Sequence, residues 1–268
     1  MQADVLRRTL TDQWRALAAW TVGLVLLSLT YAAFYPVIRH SGINFQNLFN
    51  QLPAGFRDAF LGAGVSYATP VGYLGTELFA FLVPALLLAV GVTATSRALA
   101  GEESGGTIDL LLATPLPRGR LVVEKALAGV LPLFGLAAAV WLVIAVLGPA
   151  FGLTVDLGGL AVALLAVVLL ATCFAMLALL VSSASGQRGL GAGIAAAAAV
   201  ATYVLNALAP SVSSLQGVDA AASPFHWSGG PSVLADGVSW TGLGLLMAVP
   251  LVLLALTVGA YERRDLSA

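Results

Sequence analysis

Charge is what this chain has least of. Only 9% of its 268 residues are Asp, Glu, Lys or Arg, while 59% are hydrophobic. A soluble domain carries about 25% charged residues, so a soluble globular fold is excluded. Cysteine is scarcer still: Cys173 is the single one, and no internal disulfide framework can form. The two histidines, His40 and His226, lie too far apart in sequence for metal-ligand spacing. No Asn-x-Ser/Thr glycosylation acceptor occurs.

Catalytic motifs are missing as well. The stretch Gly101–Thr107 has glycines and a threonine, but it lacks the lysine of a phosphate-binding loop and follows no strand. Neither HExxH nor GxSxG is present. Ser182, Ser183 and Ser185 are expected at a turn between spans, with no histidine near them in sequence. Neither histidine is expected inside a span, which disfavours an intramembrane serine hydrolase. The chain is therefore expected to be no enzyme, with no catalytic residue, no metal, no cofactor of its own and no nucleic-acid partner.

What is present is apolar sequence in blocks. Six segments approach the roughly 20 residues that a bilayer requires: 17–36, 75–97, 123–148, 157–182, 190–209 and 240–261. The first run is longer than a signal-peptide core of about 7–15 residues and reads as a retained span. Pro36, Gly148-Pro149 and Pro210 punctuate the ends of the first, third and fifth spans. Pro84, Pro132 and Pro250 fall inside spans, where neighbouring helices can satisfy the freed carbonyls. The expectation is an all-α membrane protein, one transmembrane domain over 1–268, embedded in the lipid bilayer.

Before the first span, residues 2–16 place Leu6, Leu10 and Trp14 on one helical face and Asp4, Arg8, Asp12 and Arg15 on another. That pattern suits an amphipathic helix in the membrane interface; a solvated leader is the alternative. Lysine and arginine then set direction. With the N-terminus in the cytoplasm, ten of the twelve basic residues fall inside and only Arg39 and Arg57 outside. The positive-inside rule thus predicts a multi-pass cell-membrane protein with both termini cytoplasmic.

Two segments are then external. In 37–74, Phe45, Leu48, Phe49 and Leu52 recur at helical spacing, which suits short interfacial helices. In 210–239, Ser223-Pro224-Phe225-His226-Trp227 suggests an element re-entering the outer leaflet, with an ordinary surface loop as the alternative. Span five carries Gly189 and Gly193 as a GxxxG pair, followed by five consecutive alanines. Small residues permit close helix approach, so this face reads as an interface, within or between subunits, or else as a generic alanine-rich helix. Glu77, at the outer start of span two, is a substrate-path candidate because ionisable groups in membranes tend to be functional. The plainer reading is that it reaches water or complements the helix N-terminus. Asn206, near the outer end of span five, is a second path candidate.

The polar stretch Gly101–Lys125 interrupts this apolar sequence. Thr107 can cap a helix whose first turn holds Asp109. Ile108, Leu111 and Leu112 fall at i, i+3 and i+4, a face that could seat in a partner's groove. Pro115 and Pro117 stop the helix, and Arg118, Arg120 and Lys125 mark the return to the membrane surface.

The run Glu102-Glu103-x-x-Gly106-Thr107-Ile108-Asp109-Leu110-Leu111-Leu112-Ala113-Thr114-Pro115-x-x-Arg118, with Lys125 beyond it, resembles the signature of ABC-2 type permeases. Ser223-Pro224-Phe225 is similar to the external motif of that family, and Glu262-Arg263-Arg264-Asp265-Leu266 to the ending of many members. Ser104 stands where many members carry a further acid, and Gly105 is an extra glycine. The resemblance implies the transmembrane subunit of an ATP-binding-cassette exporter. It also implies a second permease copy or paralogue and a separate ATPase subunit that carries the ATP and Mg. The cytoplasmic helix between spans two and three would couple to that ATPase, and spans two and five would line the path. A membrane scaffold that anchors an ATPase without moving a solute is the alternative.

Overall fold

In lipid a single segment can satisfy its own backbone polar groups only as a helix, and most of the described chain is helical. A computed structural model of the protein describes residues 4–40, 51, 66–98, 117–209, 212, 215 and 217–263, with no strand among them. Six helices are long and apolar enough to cross a membrane. They are α1 (Asp4–His40), α2 (Pro70–Ala98), α3 (Arg118–Leu147), α4 (Leu157–Ser185), α5 (Arg188–Leu208) and α6 (Trp240–Arg263).

Two boundaries differ from expectation for readable reasons. No separate helix covers the amphipathic residues before span one; α1 runs unbroken for 37 residues, about 55 Å at 1.5 Å per residue. Its first glycine is Gly23 and its first proline is Pro36, so nothing in its leading turns breaks the hydrogen-bond ladder. Pro36 was expected to end span one but lies inside the helix, which continues to His40. His40 is therefore the last residue of α1, exposed, with Nδ1 2.7 Å from the Pro36 carbonyl oxygen.

α2 begins with Thr69 as N-cap, its Oγ1 accepting from the Gly72 N–H, and Pro70 in the first turn. Its next eight residues, Gly75–Leu82, form a π-helix before the α-helix resumes at Val83. α3 starts at Arg118, directly after Pro117. A short 3₁₀ turn, Gly148–Phe151, and left-handed Gly152 then lead toward α4. Asp156 caps α4 at its start, and Gly186, at φ 69°, ends it. Ser182, Ser183 and Ser185 lie in the last turns of α4, not in a loop. Their hydroxyls bond back to Leu179 O and Val181 O of their own helix.

α4 is the centre of the bundle, packed by α2, α5, α6 and α3, while α1 lies mainly along α3. α4 has the highest mean hydropathy, 2.9, and 72% of its most apolar window is buried, against 17% for α1, α5 and α6. A helix apolar all round belongs in the interior. Without a hydrophobic drive between helices, close contact depends on small residues and shared hydrogen bonds. A Cβ at Gly191 of α5 would stand 2.6 Å from the Ala178 carbonyl oxygen of α4. Gly129 of α3 likewise makes room for the Thr95 methyl of α2. The Thr95 hydroxyl, fully buried, shares its one proton between Ala175 O of α4 at 2.7 Å and Gly91 O at 2.9 Å.

Candidate functional site

α2 and α5 run antiparallel on one side of α4 and enclose an apolar groove with a cavity of about 510 Å³. α2 contributes Phe81, Ala85, Leu88, Ala89, Val92 and Thr93. α5 contributes Ala192, Ala196, Ala199, Val200 and Tyr203. From Phe81 to Thr93 the α2 wall is about 18 Å long at helical rise. Alanines on both walls, Ala85 and Ala89 facing Ala192, Ala196 and Ala199, leave room between the two helices. Phe81 and Val200 remain 54% and 63% exposed, so the groove opens away from the bundle core.

Aromatic rings close one end. Phe81 and Tyr203 meet edge to face at 5.7 Å, and Tyr203 meets Phe225 at 5.2 Å. Phe225 also stacks on Phe174 of α4 at 5.9 Å. It reaches that position from the chain between α5 and α6, whose described residues include the short α-helices Val218–Ala222, Pro224–Trp227 and Val233–Asp236. The Ser223 hydroxyl, fully buried, donates to Thr202 O of α5 at 2.9 Å and anchors this segment. Farther along, the Pro231 carbonyl sits so close over Gly75 that no side chain fits there.

Glu77 is in the π-helical turn of α2 and does not line the groove. Its Oε1 accepts a 2.6 Å hydrogen bond from the Tyr67 hydroxyl. Around it Tyr67, Tyr35 and Tyr31 pack on Tyr73, with ring centroids 5.6, 5.2 and 6.5 Å away. The Tyr73 hydroxyl donates to Tyr31 O, and Tyr35 donates to Ala68 O. Burial, then the Glu77 carboxylate, pushes the Tyr67 phenol well above its ordinary value, so it remains a donor. These four tyrosines clamp the end of α1 to the start of α2, a cluster that sequence reading missed because they are scattered over more than forty positions.

Asn206 is half-buried on α5, beyond Tyr203, and it too is outside the groove lining. Gly189 and Gly193 face open space, with no atom near an added Cβ; Gly191 between them makes the close approach within the chain. Lys125 is 5% exposed on α3 and donates to Thr9 Oγ1 of α1 at 3.3 Å. Arg118 is the first residue of α3, and Arg120 pairs with Glu124 at 2.9 Å. Glu102, Glu103, Gly106, Thr107, Ile108, Asp109, Leu111, Leu112 and Pro115 lie outside the described residues. Among the described residues no group of His, Cys, Asp or Glu is placed to hold a metal ion.

Residues 5–266 match the family described as ABC-2 family transporter protein. The chain belongs to that family. No curated protein matches it. Membership and the six apolar helices make it a multi-pass membrane permease component of an ABC transporter. In such a permease, the α2–α5 groove is an apolar recess of a size that could admit a solute.

Proposed function

We propose that this chain is half of the translocation path of an ATP-driven exporter, working with a second copy or a paralogue and with a separate ATPase. The supporting observation is the groove between α2 and α5, open outward and lined by small and aromatic side chains. A second permease facing it would convert an open groove into an enclosed route for a hydrophobic or amphipathic solute. Glycines 189 and 193, bare on the surface of α5, would let that second subunit approach closely. The chain itself hydrolyses no ATP; the nucleotide and its Mg belong to the ATPase.

Both termini and the Gly101–Lys125 stretch face the cytoplasm in this reading, as the distribution of basic residues demands. The leading turns of α1 exceed what the hydrocarbon core needs and lie in the cytoplasmic interface. The Ile108, Leu111 and Leu112 face docks on the ATPase, and its movement rocks one half against the other for alternating access. The segment before α6 re-enters the membrane from outside. Phe225 touches Phe174, which is about 25 Å along α4 from its outer end at helical rise.

The test is to co-purify the chain with the ABC ATPase produced beside it and to assay ATP-dependent solute movement in vesicles. Asp at Ile108, Leu111 and Leu112 together should abolish co-purification and transport while leaving the permease folded. Undiminished ATPase association would sink the docking face; association without any ATP-dependent movement would favour a scaffold.

A further inference from the structure

The α2–α5 groove has two unlike ends. One is shut by the rings of Phe81, Tyr203 and Phe225. The other is polar. Thr93, exposed, is the last α2 residue on the wall, and Ala192 is the first on α5. Among the described residues the Thr93 hydroxyl has no hydrogen-bond partner. Arg188 is one turn before Ala192 on α5, and residues four apart share a helix face. It is exposed and, among the described residues, in no ion pair. The first turn of α5 holds no acid, and no side chain caps it. Its open N–H groups therefore add to the positive potential of Arg188. Between the two ends, the described lining of the groove carries no charge.

The dimensions are those of a lipid chain. The wall from Phe81 to Thr93, about 18 Å at helical rise, slightly exceeds half of a hydrocarbon core of about 30 Å. Thr93 is about 7.5 Å from the end of α2, and Ala192 about 6 Å from the start of α5. The basic residues direct both of these helix ends to the cytoplasmic face. The groove then runs from cytoplasmic headgroup level to just beyond the midplane, where the rings stop it.

We propose that the solute of this groove is a single-chain amphiphile with an anionic head, taken from the cytoplasmic leaflet. This rests on the groove being the path. The chain lies between the alanine walls with its end against the rings. α2 and α5 touch beside the groove, so the gap suits one hydrocarbon chain rather than two. The head stays at the mouth. There Arg188 and the start of α5 meet its charge, as a guanidinium meets an oxyanion, and Thr93 donates a hydrogen bond. A neutral head gains less at this mouth, and a cationic one is repelled.

The experiment uses the full chain in nanodiscs of phosphatidylcholine, a lipid without net charge. The probe is tetradecyl sulfate carrying a photoreactive diazirine at its chain end. Illumination should label peptides that contain Phe81, Tyr203 or Phe225. Plain tetradecyl sulfate should displace the probe at least tenfold better than tetradecyltrimethylammonium. It should do so at least fivefold better than dimyristoyl phosphatidylglycerol, which has two chains. Arg188→Gln should remove the charge preference and leave the labelled peptides unchanged. Ala89→Trp and Ala196→Trp, at the melting temperature of the wild type, should remove the labelling. Undiminished preference in Arg188→Gln, or labelling that survives both tryptophans, would overturn the proposal. Equal displacement by phosphatidylglycerol would overturn the single chain. No labelling, with Ala196→Cys forming a disulfide to a second copy, would overturn it by showing that the other permease fills the groove. Efflux lost in the tryptophan variants, without labelling of the wild type, would keep the path and overturn this solute. Charge-selective labelling of the wild type, with efflux intact in both tryptophan variants, would keep the site and overturn its place in the path.

Discussion

The Tyr67 hydroxyl donates to Glu77 Oε1 at 2.6 Å, tying the segment before α2 to the π-helical turn within it. A π-turn is an uncommon, loosely bonded form often found at functional positions. Here it is stabilised from outside, by a carboxylate–phenol bond on one side and the Pro231 carbonyl over Gly75 on the other.

That bond makes the first prediction. A hydrogen bond to a charged group contributes about 1.5–3 kcal/mol. Tyr67→Phe and Glu77→Gln should each lower thermal stability in detergent, and the double variant should lose less than the sum. Additive losses would mean the two side chains act separately. If transport falls in Glu77→Gln but not in Tyr67→Phe at matched stability, the carboxylate contacts solute.

Adjacent glycines on α5 should behave differently. Gly191→Leu forces a side chain into Ala178 O and Ser182 and should cost about 1–3 kcal/mol as overpacking does. Gly189→Leu and Gly193→Leu meet open space within the chain and should leave the monomer's melting temperature unchanged. Their effect should appear instead in the oligomer, read by cross-linking or mass photometry. A stable Gly191→Leu variant would contradict the close α4–α5 contact.

Filling the groove should separate folding from transport. Ala89→Trp and Ala196→Trp place a large ring in a space now lined by methyl groups. Each should insert and assemble like wild type while ATP-dependent efflux drops at least tenfold. Unchanged efflux in both would remove the groove from the path.

The buried Thr95 hydroxyl joins α2 to α4 through Ala175 O. Interhelical hydrogen bonds of this kind average only about 0.6 kcal/mol in membranes. Thr95→Val keeps the shape that Gly129 packs against and should destabilise slightly. Thr95→Leu adds bulk against Gly129 and should be markedly worse. Equal losses would show that packing is irrelevant at this contact.

Six spans were legible because length and hydropathy are one-dimensional properties, and α2 through α6 begin and end within a few residues of their apolar runs. α1 continues past Pro36 to His40 because proline marks a helix end only when the hydrogen-bond ladder also stops, and there it continues. The groove was hidden for a different reason. Phe81, Ala85, Leu88, Ala89 and Val92 share a helical face, but every face of α2 is apolar there, so periodicity carries no contrast. The GxxxG pair drew attention to the right region of α5, while Gly191, the glycine that touches α4, has no motif to announce it. Tyr31, Tyr35, Tyr67 and Tyr73 gather only when α1 and α2 are docked, which no local pattern reveals.

Only Gly186 and Gln187 separate α4 from α5, and Gly186 makes the reversal in the left-handed conformation. α4 has the highest mean hydropathy of the six helices, 2.9, and α5 the lowest, 1.6. During synthesis the helix with the strongest tendency to enter lipid therefore emerges first, and the one with the weakest follows immediately behind it. α5 enters as the second arm of a helical hairpin, held by Gly191 against a partner already in place. Its small, lipid-shy composition is tolerated because insertion is a property of the pair, which leaves α5 free to carry a surface chosen for other molecules.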